Sequence, residues 1–68
     1  MLYPTLSVRE INRLTCAGKP VMALYVVHGH ERQGRVRRAR QRDGHMEVKV
    51  LGSGRWHALA KPGAVWAA

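Results

Sequence analysis

The sequence predicts a mainly β (α+β) protein, in which one short N-terminal helix is followed by four or five short antiparallel strands that curl into a small barrel. Three observations predict it. A capping signature and a glycine stop bracket one helical period near the N-terminus. Beyond it, apolar and polar residues alternate between tight turn signals at Asp43-Gly44, Gly52-Ser53-Gly54 and Pro62-Gly63. Finally, 68 residues without a linker make one domain, 1–68. A chain this short buries roughly 60% of its unfolded surface, which leaves no room for a deep catalytic cleft.

Ser7 and Glu10 have capping-box spacing, and Leu6 and Ile11 occupy the hydrophobic-staple positions around them. Val8, Ile11 and Leu14 share one face. Gly18 then suits the stop, with Pro20 behind it, so the helix spans about 7–17. The barrel takes about 20–66. Its first strand, "PVMALYVVH", is β-branched and aromatic with no charge, and reads as buried on both faces. "GHERQG" (29–34) reads as a polar loop.

"GRVRRARQRDGHMEVKV" (34–50) reads as a hairpin. A three-residue loop, Arg42-Asp43-Gly44, sets Val36 opposite Val50, Arg38 opposite Val48 and Arg40 opposite Met46. A two-residue loop would pair Arg38 with Lys49, two like charges, and is disfavoured. A tight turn at Gly52-Ser53-Gly54 then pairs Val50 with Trp56 and Val48 with Ala58. Val36, Met46, Val48, Val50, Trp56 and Ala58 face inward. Period-2 alternation turns Arg35, Arg37, Lys49, Arg55 and His57 outward. Arg38 and Arg40 fall on the inward side, with their stems across the core edge and their heads at the rim. "AKPGAVWAA" closes the chain with a turn and a strand around Val65-Trp66.

Twelve Lys and Arg against four Asp and Glu give a net charge of +8. Nine of the twelve are arginine, whose fork suits phosphate and guanine edges. A GC-rich genome accounts for the arginine excess but not for the shortage of acids. Residues 32–42 hold six arginines and no acid. On one strand face such groups lie about 6.6–6.8 Å apart, close to the spacing of phosphates along a nucleic-acid strand. The bland alternative is a solvated strand exterior, where charge also blocks edge pairing. The expected function is binding of DNA or RNA through the backbone. Arg35, Arg37, Lys49 and Arg55 make the sheet contact beside His57, and Arg38, Arg40 and Arg42 lie at the hairpin rim. The alternative is a protein-interaction module, a small phage or mobile-element regulator or inhibitor, that docks a basic surface on an acidic partner. A single exposed patch of Leu51, Leu59 and Trp66 would favour that alternative or a homodimer.

The remaining chemistry is sparse. Trp56 and Tyr25 read as packing, while Tyr3 and Trp66 fit packing or stacking equally. His28 and His30 form a pair that lacks further ligands, so they read as loop residues. Cys16 reads as a small buried residue without a nucleophile's setting, and it precludes an intrachain disulfide. Glu10, Glu31, Asp43 and Glu47 form no carboxylate pair. No catalytic residue, cofactor or metal is expected. Without a signal peptide or a membrane-length apolar run, the expected compartment is the cytoplasm.

The run "GRVRRARQRDGHMEVKVLGSGRWHAL" resembles small SH3-like barrels of the KOW or Tudor type over about residues 19–66. It has a G-x-V strand opening, a turn, an alternating strand, a tight glycine turn and a tryptophan strand. The resemblance implies an SH3-like barrel that binds nucleic acid, ribosomal components or other proteins. The aromatic cage of a methyl-lysine reader is not visible.

Overall fold

A computed structural model describes residues 6–68. The fold is mainly β, with helix α1 (Val8–Cys16) leading into strands β1 (Val21–Val27), β2 (His30–Arg42), β3 (His45–Val50), β4 (Trp56–Ala58) and β5 (Val65–Ala67). All ladders are antiparallel, in the order β4-β3-β2-β1-β5.

The helix begins and ends as its sequence dictates. The Glu10 N–H donates to Ser7 Oγ at 3.1 Å, and the Ser7 N–H donates to Glu10 Oε1 at 3.1 Å. At the other end Gly18, at φ 77°, lets its own N–H reach the Thr15 carbonyl and the Lys19 N–H reach the Leu14 carbonyl. These bonds satisfy carbonyls the helix cannot use internally. Ile11 is fully buried in the core, and Leu6, Val8 and Leu14 are half-buried against that core.

A second attachment between helix and sheet comes from Asn12. Its Oδ1 accepts from the Ala39 N–H at 2.8 Å, and its Nδ2 donates to the Ala39 carbonyl at 3.0 Å. β1 pairs only with residues 30–35 of β2, so this amide serves as partner for backbone that β1 does not reach.

The segment 29–34, expected as a loop, is instead a turn residue plus the first part of β2. His28 and Gly29, both at positive φ, make a two-residue turn, and Val27 pairs directly with His30. Gly34 sits opposite Ala23 beneath the Tyr25 ring; a Cβ there would lie 3.0 Å from Tyr25 Cε1. This glycine provides space for an aromatic rather than marking a loop. β1 is also not buried on both faces. Val21 and Ala23 are buried, and Met22, Leu24, Tyr25, Val26 and Val27 are half-buried.

β2 pairs with β1 on one side and β3 on the other, and its register changes within the β3 ladder. Val36 pairs with Val50 as expected, but Arg38 then pairs with Lys49, so Arg37 is the extra residue of a β-bulge. Beyond the bulge Arg40 faces Glu47 and Arg42 faces His45, across a two-residue Asp43-Gly44 turn with both residues at positive φ. The disfavoured register is the one the hairpin adopts. Ala39, opposite Val48, takes the inward position that Arg38 and Arg40 were expected to share.

The link between β3 and β4 runs through residues 51–55 rather than a tight turn at 52–54, so Lys49 pairs with Trp56 and Val48 with His57. That slip of one residue reverses the faces of β4. Trp56 and Ala58 point outward and His57 points inward, opposite to expectation. Leu59, also expected outward, packs against the core and bridges to Tyr25.

After β4 the chain returns to β1. The Ala60 N–H donates to the Leu24 carbonyl, and the Leu24 N–H donates to the Ala64 carbonyl, both at 2.9 Å. A turn at Pro62-Gly63 then feeds β5, which pairs with residues 21–23 of β1. The core is Ile11, Val21, Ala23, Val36, Ala39, Val48, Val50 and Val65.

Candidate nucleic-acid interface

The bulge and the slipped β4 register together build one outward surface. Cross-strand rows place Arg38, Lys49 and Trp56 in line, then Arg40, Glu47 and Ala58, then Arg42 and His45. Trp56 is half-buried under two cations. The Arg40 guanidinium carbon lies 4.3 Å from the ring centroid, and Lys49 Nζ lies 4.9 Å from it. Each contact is attractive because the π-face is electron-rich. Arg40 is also anchored by its Nε–H to Glu47 Oε1 at 2.8 Å, and 35% of its side chain stays exposed. This bond takes one of its five N–H donors.

Arg38 stands directly opposite Lys49. Like charges in that position are destabilising. The Trp56 ring draws Lys49 to one side, and Arg38 is left exposed.

Arg38 also lines a shallow groove of about 450 Å³ with Arg35, Arg37 and Lys19, walled by Thr15, Cys16 and Leu51. It lies where the end of α1 meets the bulge. Among the described residues no carboxylate lines it. Cys16, expected to be buried, is exposed here. A second, more apolar groove lies at the far end of the sheet, between the hairpin tip and the Pro62-Gly63 turn.

The structure therefore brings together Arg35, Arg37, Arg38, Arg40 and Lys49 from the expected site, with Trp56 and Lys19 added. Sequence reasoning missed Lys19 because it precedes the sheet, and missed Trp56 because the β4 register was read one residue out. Arg55 lies exposed in the 51–55 loop and not on a strand. Arg42 sits at the hairpin tip, 3.9 Å from Asp43 Oδ2. His57 leaves the site altogether. It lies under the sheet with its Nε2 2.9 Å from Ser53 Oγ and its ring 5.0 Å from that of Tyr25.

Leu51 is 56% exposed and Trp66 37%, but with Leu59 turned inward the three do not form one outward patch. Tyr3 lies outside the described residues. Among the described residues no three His, Cys, Asp or Glu side chains gather as metal ligands, and no helix is long and apolar enough to cross a membrane.

No family model matches the chain, no curated protein matches its sequence, and no solved structure matches its fold.

Proposed function

We propose that the chain is a small, non-enzymatic nucleic-acid-binding protein on an SH3-like barrel, gripping the backbone of DNA or RNA. The barrel reading is supported by β2, which is shared between the β1 and β3 ladders and carries the Arg37 bulge, and by the return of the chain onto β1 after β4. The free, exposed Cys16 fits a reducing cytoplasm.

One observation carries the functional reading. Arg38 and Lys49 are held opposite each other beside a groove with three more cations and no acid. A fold that keeps such repulsion gains when a phosphate lies between the charges. The test is binding of labelled duplex and single-stranded oligonucleotides, DNA and RNA, at stepped salt. Each neutralised phosphate contributes about 0.7–0.9 to the log–log slope, so engagement of part of the face gives roughly −3 to −4. No binding at low salt overturns the reading.

One observation favours docking to an acidic protein instead. Leu51, exposed on the groove wall, supplies an apolar centre within a basic rim. A folded protein that ignores every oligonucleotide leaves that reading standing.

A further inference from the structure

We infer that the face takes unpaired nucleotides rather than duplex, with one base stacked on the Arg40–Trp56 pair and the flanking phosphates held by Arg38, Lys49 and the groove. This rests on the nucleic-acid reading above and specifies its substrate class.

The argument begins with what a duplex would need. Reading or gripping a duplex from within a groove calls for a protruding element that is basic at its apex. The protruding element available is the β2–β3 hairpin, and its apex sets Asp43, with a 90% exposed side chain, against Arg42, so the tip carries no net positive charge. A carboxylate leading into a phosphate-lined groove is repelled. The unpaired positive charge lies at the opposite end of the hairpin, around the bulge, on the sheet surface and in a shallow groove.

That end offers what a single strand needs, a π-surface beside a cationic track. Trp56 faces outward, and the guanidinium over it is fixed on two sides, by the ring beneath and by Glu47 alongside. Held in this way, the guanidinium loses little freedom when a base lies on it, and arginine planes stack on bases as aromatic rings do. Glu47 also neutralises Arg40, so this position is specialised for stacking rather than for phosphate. Arg38 and Lys49, in the adjacent row, retain free charge for the backbone. The face is thus divided into a stacking position, where Glu47 balances Arg40 and Lys49 borders the Trp56 ring, and a charged track that leads to Arg35, Arg37 and Lys19.

The test compares the intact protein and two variants by anisotropy of labelled oligonucleotides of about ten nucleotides. The probes are oligo(dT), oligo(U) and a mixed-sequence duplex of equal length at one fixed salt. The parent should bind the single strands at least about tenfold more tightly than the duplex. Trp56→Ala should weaken single-strand binding about tenfold and leave duplex binding within about twofold. Arg40→Lys keeps the charge but removes the plane. It should lower single-strand affinity in the same sense, and it carries the test if Trp56→Ala is poorly folded by circular dichroism. Equal affinity for single strand and duplex, or single-strand binding that neither variant changes, overturns the stacking inference while the backbone-binding reading survives. Failure of the parent to bind any probe at low salt removes both.

Discussion

Asn12 and Ala39, twenty-seven residues apart, are joined by two hydrogen bonds through a single amide, at 2.8 and 3.0 Å. Ala39 is 3% exposed, so neither its N–H nor its carbonyl has water as a ready substitute. Asn12→Ala should cost about 2–4 kcal/mol, since each orphaned buried group costs about 1–3. Asn12→Asp should be no better, because it restores the acceptor but aims a carboxylate oxygen at the Ala39 carbonyl. Urea midpoints for the two variants check this. A loss under about 0.5 kcal/mol for both would mean the helix is held by its apolar side chains, Val8, Ile11 and Leu14, without help from the amide.

Trp56 is half-buried beneath Arg40 and Lys49 and lies outside the core cluster. Trp56→Ala removes two cation–π contacts and partial burial, and should cost about 1–2 kcal/mol. Ile11→Ala empties a fully buried site and should cost about 2–5 kcal/mol. Thermal melts should rank the two in that order. The reverse order would place Trp56 inside the core.

Arg35 and Arg37 line the basic groove without a carboxylate partner. Their joint replacement by Gln should reduce the salt slope of binding by about 1–2. The melting temperature should stay level or rise, because exposed charges in a crowded positive field add little stability. A double variant that binds with an unchanged slope would show that these arginines are only solvated strand exteriors.

Gly34→Ala would bring a methyl group to 3.0 Å from Tyr25 Cε1 and 3.3 Å from its hydroxyl, and force the ring toward His57. The expected loss is about 1–3 kcal/mol. Adding Tyr25→Leu should recover part of it, so the two substitutions should be non-additive in a double-mutant cycle. Strict additivity would mean that the glycine serves some purpose other than space.

Glu10 has its carboxyl held below the ordinary range, chiefly by the Ser7 N–H, with help from the Ser7 hydroxyl and the Arg13 charge. A depressed carboxyl pKa stabilises the fold fully above the unfolded value, and this contribution is lost as pH falls through the lower folded one. The parent should therefore lose stability relative to Glu10→Gln as pH drops below about 4. Melts at stepped pH compare the two, and parallel curves would contradict the cap's role.

The parts of this fold legible in the sequence are those governed by local chemistry. Ser7, Glu10 and Gly18 bracket the helix, and Asp43-Gly44 and Pro62-Gly63 turn the chain, each through a conformation or hydrogen bond within a few residues. Val36, Val48 and Val50 are inward because alternation demands it. What was not legible depends on register. The Arg37 bulge and the longer 51–55 connection each displace pairing by one residue, and a period of two converts that displacement into a change of face. That is why Trp56 and His57 exchange sides and why Arg38 and Arg40 emerge on the surface. Residues 30–34 escaped detection as strand because most are polar and exposed on β2. The partnership of Asn12 with Ala39 leaves no local trace at all. Of the candidate site, Arg35, Arg37 and Lys49 could be found by counting charge, whereas the stacked arrangement at Trp56 needed three dimensions.

Among the described residues the buried core is isoleucine, valine and alanine, and both tryptophans lie outside it. Tryptophan emission, normally a monitor of core packing, is in this protein a monitor of the outer faces. Its intensity will report what lies against Trp56 and Trp66 as well as folding, because Trp56 is half-buried beneath Arg40 and Lys49. An unlabelled ligand that displaces Lys49 from the ring becomes visible as a change in emission, while unfolding is better followed in the far ultraviolet.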